Sequence, residues 1–391
     1  MIEKYYNGVI EQVAGGIGNV EHNSILVRYS NDFSIWDLES VNHYKDQTDI
    51  FFTCHEFSYN KIAEAYEPYL GLIRQMFHKY CSGTLEEFME ECDVYKLQRP
   101  VFESYFEKGF CERTEQILID EVEYEQERMH SSIVTMLQKL SEICPIVIVL
   151  NRFQLASKST MQLTNRLLQT KNKNIGIVLG VNDVQSIPEF AHEEWDAICE
   201  SMDDRNMVYH IGNAGRNMEP DVMDYYSDYE SDDGYRKLNN LVYFLDFDQA
   251  DHHLSKIERR IKFDNFTISE KKHYQLLLLQ IMVSVLQRDI AKALESCEDL
   301  EKLQDQEKEG AFYYNFWMAT SYMYLGKLEE AMIYVQKAKE CGEALGDDFL
   351  VFRAELLKAQ NQMSGWCNIF FCAQDIEISD KTDREAECVP L

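Results

Sequence analysis

The chain has 391 residues, 38 of them basic and 68 acidic, for a formal charge of −30. A surface of that sign repels phosphate backbones and anionic lipid headgroups, which disfavours nucleic-acid and membrane-surface binding. The longest apolar run, YQLLLLQIMVSVLQ, stops at Arg288 and falls short of the roughly 20 residues that span a bilayer.

In chain order, the opening MIEKYYNGVIEQV carries acids where a secretory leader needs bases, so a cytoplasmic location is expected. The glycines of AGGIGN (Gly15, Gly16, Gly18) read as a loop, since neither a strand nor a Lys-Ser/Thr pair flanks them. SILVRYS (24–30) is a short β run, followed by helical character over 34–45. DIFFTCHEF (49–57) is a second strand, and helical segments then run to about residue 141. CPIVIVL (144–150) and NIGIVLGVN (174–182) are near-continuous β-branched runs, as expected of strands buried on both faces. NMVYHIG (206–212) is a fifth candidate. Strands alternating with helices predict a parallel α/β domain over 1–212. The acidic stretch 213–235 reads as a linker, with an acidic docking surface as the sharper alternative.

From residue 236 to 366 the β signal vanishes. NFWMATSYMYLGKLEEAMIYVQKAKE places Tyr322, Gly326, Ala331 and Ala338 at tetratricopeptide-repeat spacing. Small residues at 331 and 338 let antiparallel helices approach, and Gly326 ends the first of them. A weaker copy has Ala293 and Leu300, 38 residues upstream of Ala331 and Ala338, and DDFLVFRAELLKAQNQMSGW starts a third unit. Residues 367–391 read as a tail or the start of a further repeat.

The chemistry expected of an α/β nucleotide site is missing. A phosphate-binding loop needs GxxxxGK[ST] after the first strand. Laid on that pattern, Tyr29 and Ser34 take the glycine places, Ile35 the lysine and Trp36 the hydroxyl. At the end of CPIVIVLNR, where a metal-binding acid would stand, the chain has Asn151 and Arg152. Arg152 suits either an ion pair or a phosphate, and the ion pair is the favoured expectation. The 11 cysteines are irregularly spaced and odd in number, which fits reduced thiols better than a disulfide framework or a zinc site. Cys54 and His55, adjacent on a strand, point to opposite faces and make no nucleophile pair. The His-Glu neighbours His55–Glu56 and His192–Glu193 read as surface pairs, not acid–base machinery.

The order of these parts resembles the STAND class of AAA-type NTPases. The carriers are FFTCHEFSYNKIAEAYEPYLGLIRQMF, then CPIVIVLNRFQLASKSTMQLTNRLLQT, then IGIVLGVND, then repeats. The turn LNRFQLAS keeps Leu150, Leu155 and Ala156 of the family framework but none of its acids. Asn182 falls near the family's sensor position. The resemblance implies a degenerate P-loop-type α/β domain followed by an all-α tetratricopeptide-like domain. It makes the chain a regulatory or scaffolding module in bacterial signalling, a pseudo-ATPase with no catalytic or metal-binding residues. If ATP or ADP still binds, the expected contacts are Ser30, Asn31, Ser34, Trp36, Asn151 and Asn182. The repeats would bind a protein, a peptide or the chain's own output domain. QMSGWCNIFFCAQDIEIS is also similar to repeat regions that precede diguanylate cyclase domains, which makes the chain the sensory part of a cyclase or transcription regulator in one alternative. In the other, a divergent NTPase uses Asp183 or Glu189 for its metal.

Overall fold

The computed structural model describes residues 2–18, 23–30, 35–45, 47–58, 61–111, 122–170, 172–182, 187, 189–203, 207–211, 229, 231–264 and 266–363. The chain divides into two compact units, Met1–Ile257 and Glu258–Leu391.

The first unit is built on five parallel strands: β1 (Ser24–Tyr29), β2 (Phe51–Glu56), β3 (Ile146–Asn151), β4 (Ile175–Asn182) and β5 (Val208–Ile211). Their order across the sheet is β2-β3-β4-β1-β5. Every residue of β3 and β4 is buried, which accounts for their unbroken apolar sequence. β2, at the edge, is half-buried throughout.

Helix α1 (Ile2–Gly15) occupies the N-terminal segment, where the sequence suggested no element. Tyr6, Val9, Ile10, Val13 and Ala14 recur at helical spacing and are buried. They join Ile25, Val27, Tyr29, Val147, Val149 and Val178 in one core with Ile35, Leu38 and Val41, the last of these on α2 (Glu39–Lys45). Two glycines on that face of β4 let α1 come close. A Cβ at Gly176 would lie 2.7 Å from Val13, and one at Gly180 would lie 2.1 Å from the Tyr6 hydroxyl. Arg28 alternates to the opposite face. There it donates to Cys199 Sγ and lies over the Trp195 ring, both on α8 (His192–Asp203). The sheet is therefore covered on both sides.

The rest of this unit is helical: α3 (Tyr69–Tyr80), α4 (Leu85–Glu91), α5 (Arg99–Lys108), α6 (Val122–Ile143) and α7 (Lys158–Thr170). Two later helices, α9 (Asp232–Tyr243) and α10 (Phe247–Phe263), follow the acidic stretch. Of that stretch, Asp232 to Tyr235 form the first turn of α9, capped by the Ser231 hydroxyl accepting from Gly234 N. Asp232 and Asp233 face the positive end of the helix dipole, so acidity that reads as a linker is in part a helix start. Residues 212–228 lie outside the described residues.

The sequence assigned 236 onward to the repeats, yet α9 and most of α10 belong to the first unit. Polar contacts tie them in. Cys111 N donates to Asn240 Oδ1, Asn240 Nδ2 donates to Glu64 Oε2, and Gln249 Nε2 donates to the Ala63 carbonyl. Asp246 is buried and accepts from Ser159 N in the first turn of α7, so a carboxylate from residue 246 caps the helix that follows β3.

The second unit is all helix among its described residues. α11 (Glu270–Leu286) and α12 (Ile290–Glu301) are joined by three residues, as are α13 (Gly310–Tyr324) and α14 (Leu328–Leu345). Such short connections make antiparallel pairs. A further helix, α15, covers 348–363. Ala293, Ala331 and Ala338 are each fully buried, and Gly326 adopts a left-handed φ of 71° at the end of α13, as the repeat spacing predicts. Residues 364–391 lie outside the described residues.

Candidate functional site

In an open parallel sheet, ligands bind outside the carboxyl ends of the strands, where neighbouring strands send their connections in opposite directions. Here β1 leads toward β2 at one edge, while β4 leads toward β5 at the other. The switch point therefore lies between β1 and β4. Register places Tyr29 beside Asn182 there, and Asn151 beside Glu56 at the ends of the next strands.

That position is filled by side chains. The Tyr29 hydroxyl donates to Asn151 Oδ1 at 2.7 Å, reaching from β1 to β3 across β4. Gly180 makes the crossing possible, since a Cβ there would lie 2.6 Å from Asn151 Oδ1. The Tyr6 ring meets Tyr29 edge to face at 6.5 Å, and Tyr6 and Asn151 have no exposure. Burial, with Tyr29 and Glu56 nearby, pushes the Tyr6 hydroxyl well above its ordinary pKa, so it stays neutral. Asn151 Nδ2 is buried with no hydrogen-bond partner among the described residues. Arg152, at a left-handed φ of 54°, forms an ion pair with Glu56 (Nε–Oε1 3.6 Å), in line with the expectation from sequence.

The sequence-derived contacts scatter around this plug. Asn151 lies inside it. Asn182 is buried at the end of β4, with its backbone N donating to Gln154 Oε1. Ser30 is half-buried just beyond Tyr29, while Trp36 is 48% exposed with Lys45 over its ring. Asn31, Ser34 and Asp183 lie outside the described residues, and of Glu189 only its place in a 3-10 turn, Glu189–Ala191, is described. Sequence reasoning missed Tyr6 and Gly180. The signal for Gly180 was its place inside a fully apolar strand, where glycine marks close approach of another group.

A second polar cluster adjoins the end of β2. Cys54 points into the α1 core, and His55 points the other way, with Nε2 3.5 Å from Glu67 Oε1. Glu67 Oε2 accepts from Glu64 N, and Lys237 of α9 is buried and paired with Asp233. Burial, then the Glu67 charge, raises Glu64 to about 7, against the opposing Asn240 hydrogen bond and the charges of Lys237 and Arg236. Burial also raises Glu67. Burial and the Lys237 charge lower His55 to about 4, so it is neutral at pH 7.

No group of three or more His, Cys, Asp or Glu residues among the described residues is placed to hold a metal ion. The eight described cysteines are all unpaired. No helix among the described residues is long and apolar enough to cross a membrane. No family model, no curated protein and no solved structure matches the chain.

Proposed function

We propose that this chain is a regulatory, protein-binding module, in which a degenerate P-loop-type α/β domain of the STAND kind serves as scaffold and tetratricopeptide-like helices take the partner. The observation that carries the reading is the plug at the switch point. Phosphates and Mg²⁺ would need glycine backbone, a lysine and an acid there. Tyr29 and Asn151 instead bond to each other beneath Tyr6. The partner is a protein, a peptide or an output domain of the same polypeptide, in a cytoplasmic bacterial signalling system. The helical unit offers apolar side chains for it: Ile333, Phe352 and Met363 are each more than half exposed. The net charge of −30 argues against nucleic acid as that partner.

A calorimetric titration with ATP and ADP, with and without Mg²⁺, paired with a phosphate-release assay, tests the reading. The expected result is no Mg²⁺-dependent turnover. Turnover that disappears in Asn151→Ser would overturn it.

A further inference from the structure

The helical unit carries a repeat period in its helix ends. α11 and α13 end 38 residues apart, at Leu286 and Tyr324, and α12 and α14 begin 38 residues apart, at Ile290 and Leu328. α15 ends at 363, within one residue of the next step. The helix that continues the series would begin at Trp366, after a connection at Ser364 and Gly365.

α15 has two faces that ask for cover. Leu350, Ala354, Leu357 and Asn361 recur at i, i+4, i+7 and i+11 and are buried. They face α13 and α14: Leu350 and Ala354 share a core with Phe312, Leu357 packs with Val335, and Asn361 Nδ2 donates to the Leu328 carbonyl. Phe352, Leu356, Ala359 and Met363 repeat the same spacing on the opposite side of the helix. Phe352 is 60% exposed and Met363 68%, Ala359 is exposed, and Leu356 is half-buried. A helix that is apolar on opposite sides is one that is covered on both.

The earlier hairpins show what covers the second face. One period back, Phe352, Leu356 and Ala359 correspond to Tyr314, Met318 and Ser321 of α13, and two periods back to Leu276, Gln280 and Val283 of α11. All three on α11 are buried, as are Met318 and Ser321, and Tyr314 meets Tyr334 of α14 edge to face at 6.3 Å. Each of these two helices is followed, three residues on, by its antiparallel partner.

The sequence past α15 has the pattern of such a partner. In WCNIFFCAQDIE (366–377), Trp366, Ile369, Phe370, Ala373 and Ile376 recur at helical spacing, with Asn368 and Asp375 on the opposite side. Ile369, Ala373 and Ile376 stand one period after Ala331, Val335 and Ala338, the buried face of α14. Twelve residues make a helix about 18 Å long, against about 16 Å from Phe352 to Met363.

We propose that residues 366–377 dock as a helix on the outer face of α15, over Phe352, Leu356 and Met363, and complete a third hairpin. The proposal rests on the repeat reading above and deepens it: the chain itself takes Phe352 and Met363, which leaves Ile333 of α14 for another protein. Ile333 corresponds to Glu295 of α12, which stays exposed with the next hairpin in place.

Hydrogen exchange of the full chain, read by mass spectrometry, tests the contact separately from any assay of turnover. Amides of 369–377 should exchange at least about tenfold more slowly than in the same segment as a free peptide. Phe352→Asp on α15 and Phe370→Asp on the segment should each return that exchange to the free-peptide rate while α14 stays protected. Ile333→Asp should change it less than about twofold. Free-peptide exchange in the wild-type chain would overturn the proposal, and so would protection that survives Phe352→Asp. A dimer in sedimentation that Phe352→Asp dissolves, with 369–377 exchanging freely, would also overturn it and assign the face to a second copy.

Discussion

The carboxyl end of the sheet and the helical hairpins of the second unit keep a framework in opposite ways. At the sheet, the ends of β1 and β3 are occupied by groups that pack on one another: Tyr29, Asn151 and, from α1, Tyr6. In the hairpins, the positions that matter are small residues and turn conformations: Ala293, Ala331 and Ala338 are fully buried, and Gly326 is left-handed. The difference separates what a fold needs from what a reaction needs. A strand end tolerates any residues that fill it, whereas two helices in contact tolerate only residues that fit between them.

The largest effect should come from filling the glycine under the plug. Gly180→Ala puts a methyl group 2.1 Å from the Tyr6 hydroxyl and 2.6 Å from Asn151 Oδ1, which α1 or β3 must yield to accommodate. Denaturant unfolding should show a loss of about 3 kcal/mol, at the upper end for overpacking. Adding Tyr6→Phe removes the nearest atom and should recover about 1 kcal/mol of it, a coupling typical of residues in contact. Full additivity of the two substitutions would show that Tyr6 does not sit over Gly180.

The matching test in the hairpins is Ala338→Leu. Ala338 has no exposure and packs with Leu277, Ala293 and Phe312 in one core. The added carbons should cost about 1–3 kcal/mol. A loss below about 0.5 kcal/mol would mean that the position does not set helix approach.

The strand order, by contrast, was not legible. The five strands themselves were, because β-branched runs announce buried strands, and each was placed within about two residues of its observed ends. Pairing depends on partners far apart in sequence, such as Leu26 against Leu179. The role of Tyr6 was hidden for the same reason, since its partner Gly180 lies far along the chain. The boundary between the units was missed because Asn240, Asp246 and Gln249 look like ordinary helix-surface polars. Their hydrogen bonds to Glu64, Ser159 and Ala63 assign them to the first unit. Composition was informative where local geometry decides, as at Gly326, and silent where tertiary hydrogen bonds decide.

The Glu64 cluster offers a pH handle confined to the first unit. Its carboxyl titrates near 7 in the fold and near 4.5 when unfolded, so between those values the folded state holds the extra proton. The resulting stabilisation is full below about pH 4.5 and is lost as pH rises through 7. Glu64→Gln retains an acceptor for Asn240 and removes the titration. The variant should gain about 1–2 kcal/mol over wild type at pH 8 and nothing at pH 4.5. Thermal unfolding across that range checks it, and a constant difference at all pH values would exclude Glu64 as the titrating group.

The smallest effects sharpen the comparison between the two hairpins, which superimpose in sequence at a spacing of 38. Arg288 then corresponds to Gly326, and Asp289 to Lys327. The structure bears out the first equivalence in backbone form: Arg288 has φ 62° and Gly326 φ 71°. It shows each hairpin lacking what the other has. The first has a side-chain cap, Asp289 accepting from Lys292 N, but carries an arginine in a left-handed conformation. The second has the glycine, but its cap residue Lys327 makes no side-chain capping bond and sets a cation at the positive end of α14. Lys327→Asp should therefore stabilise the chain by about 1 kcal/mol. Arg288→Gly should gain about 0.5 kcal/mol, the relief of a left-handed side chain less the added freedom of the unfolded glycine. The two sites lie in different turns without shared partners, so the gains should add in the double variant. Loss of stability in Lys327→Asp would mean that the lysine stem's packing over Tyr322, its ammonium 5.7 Å from the ring, outweighs the missing cap.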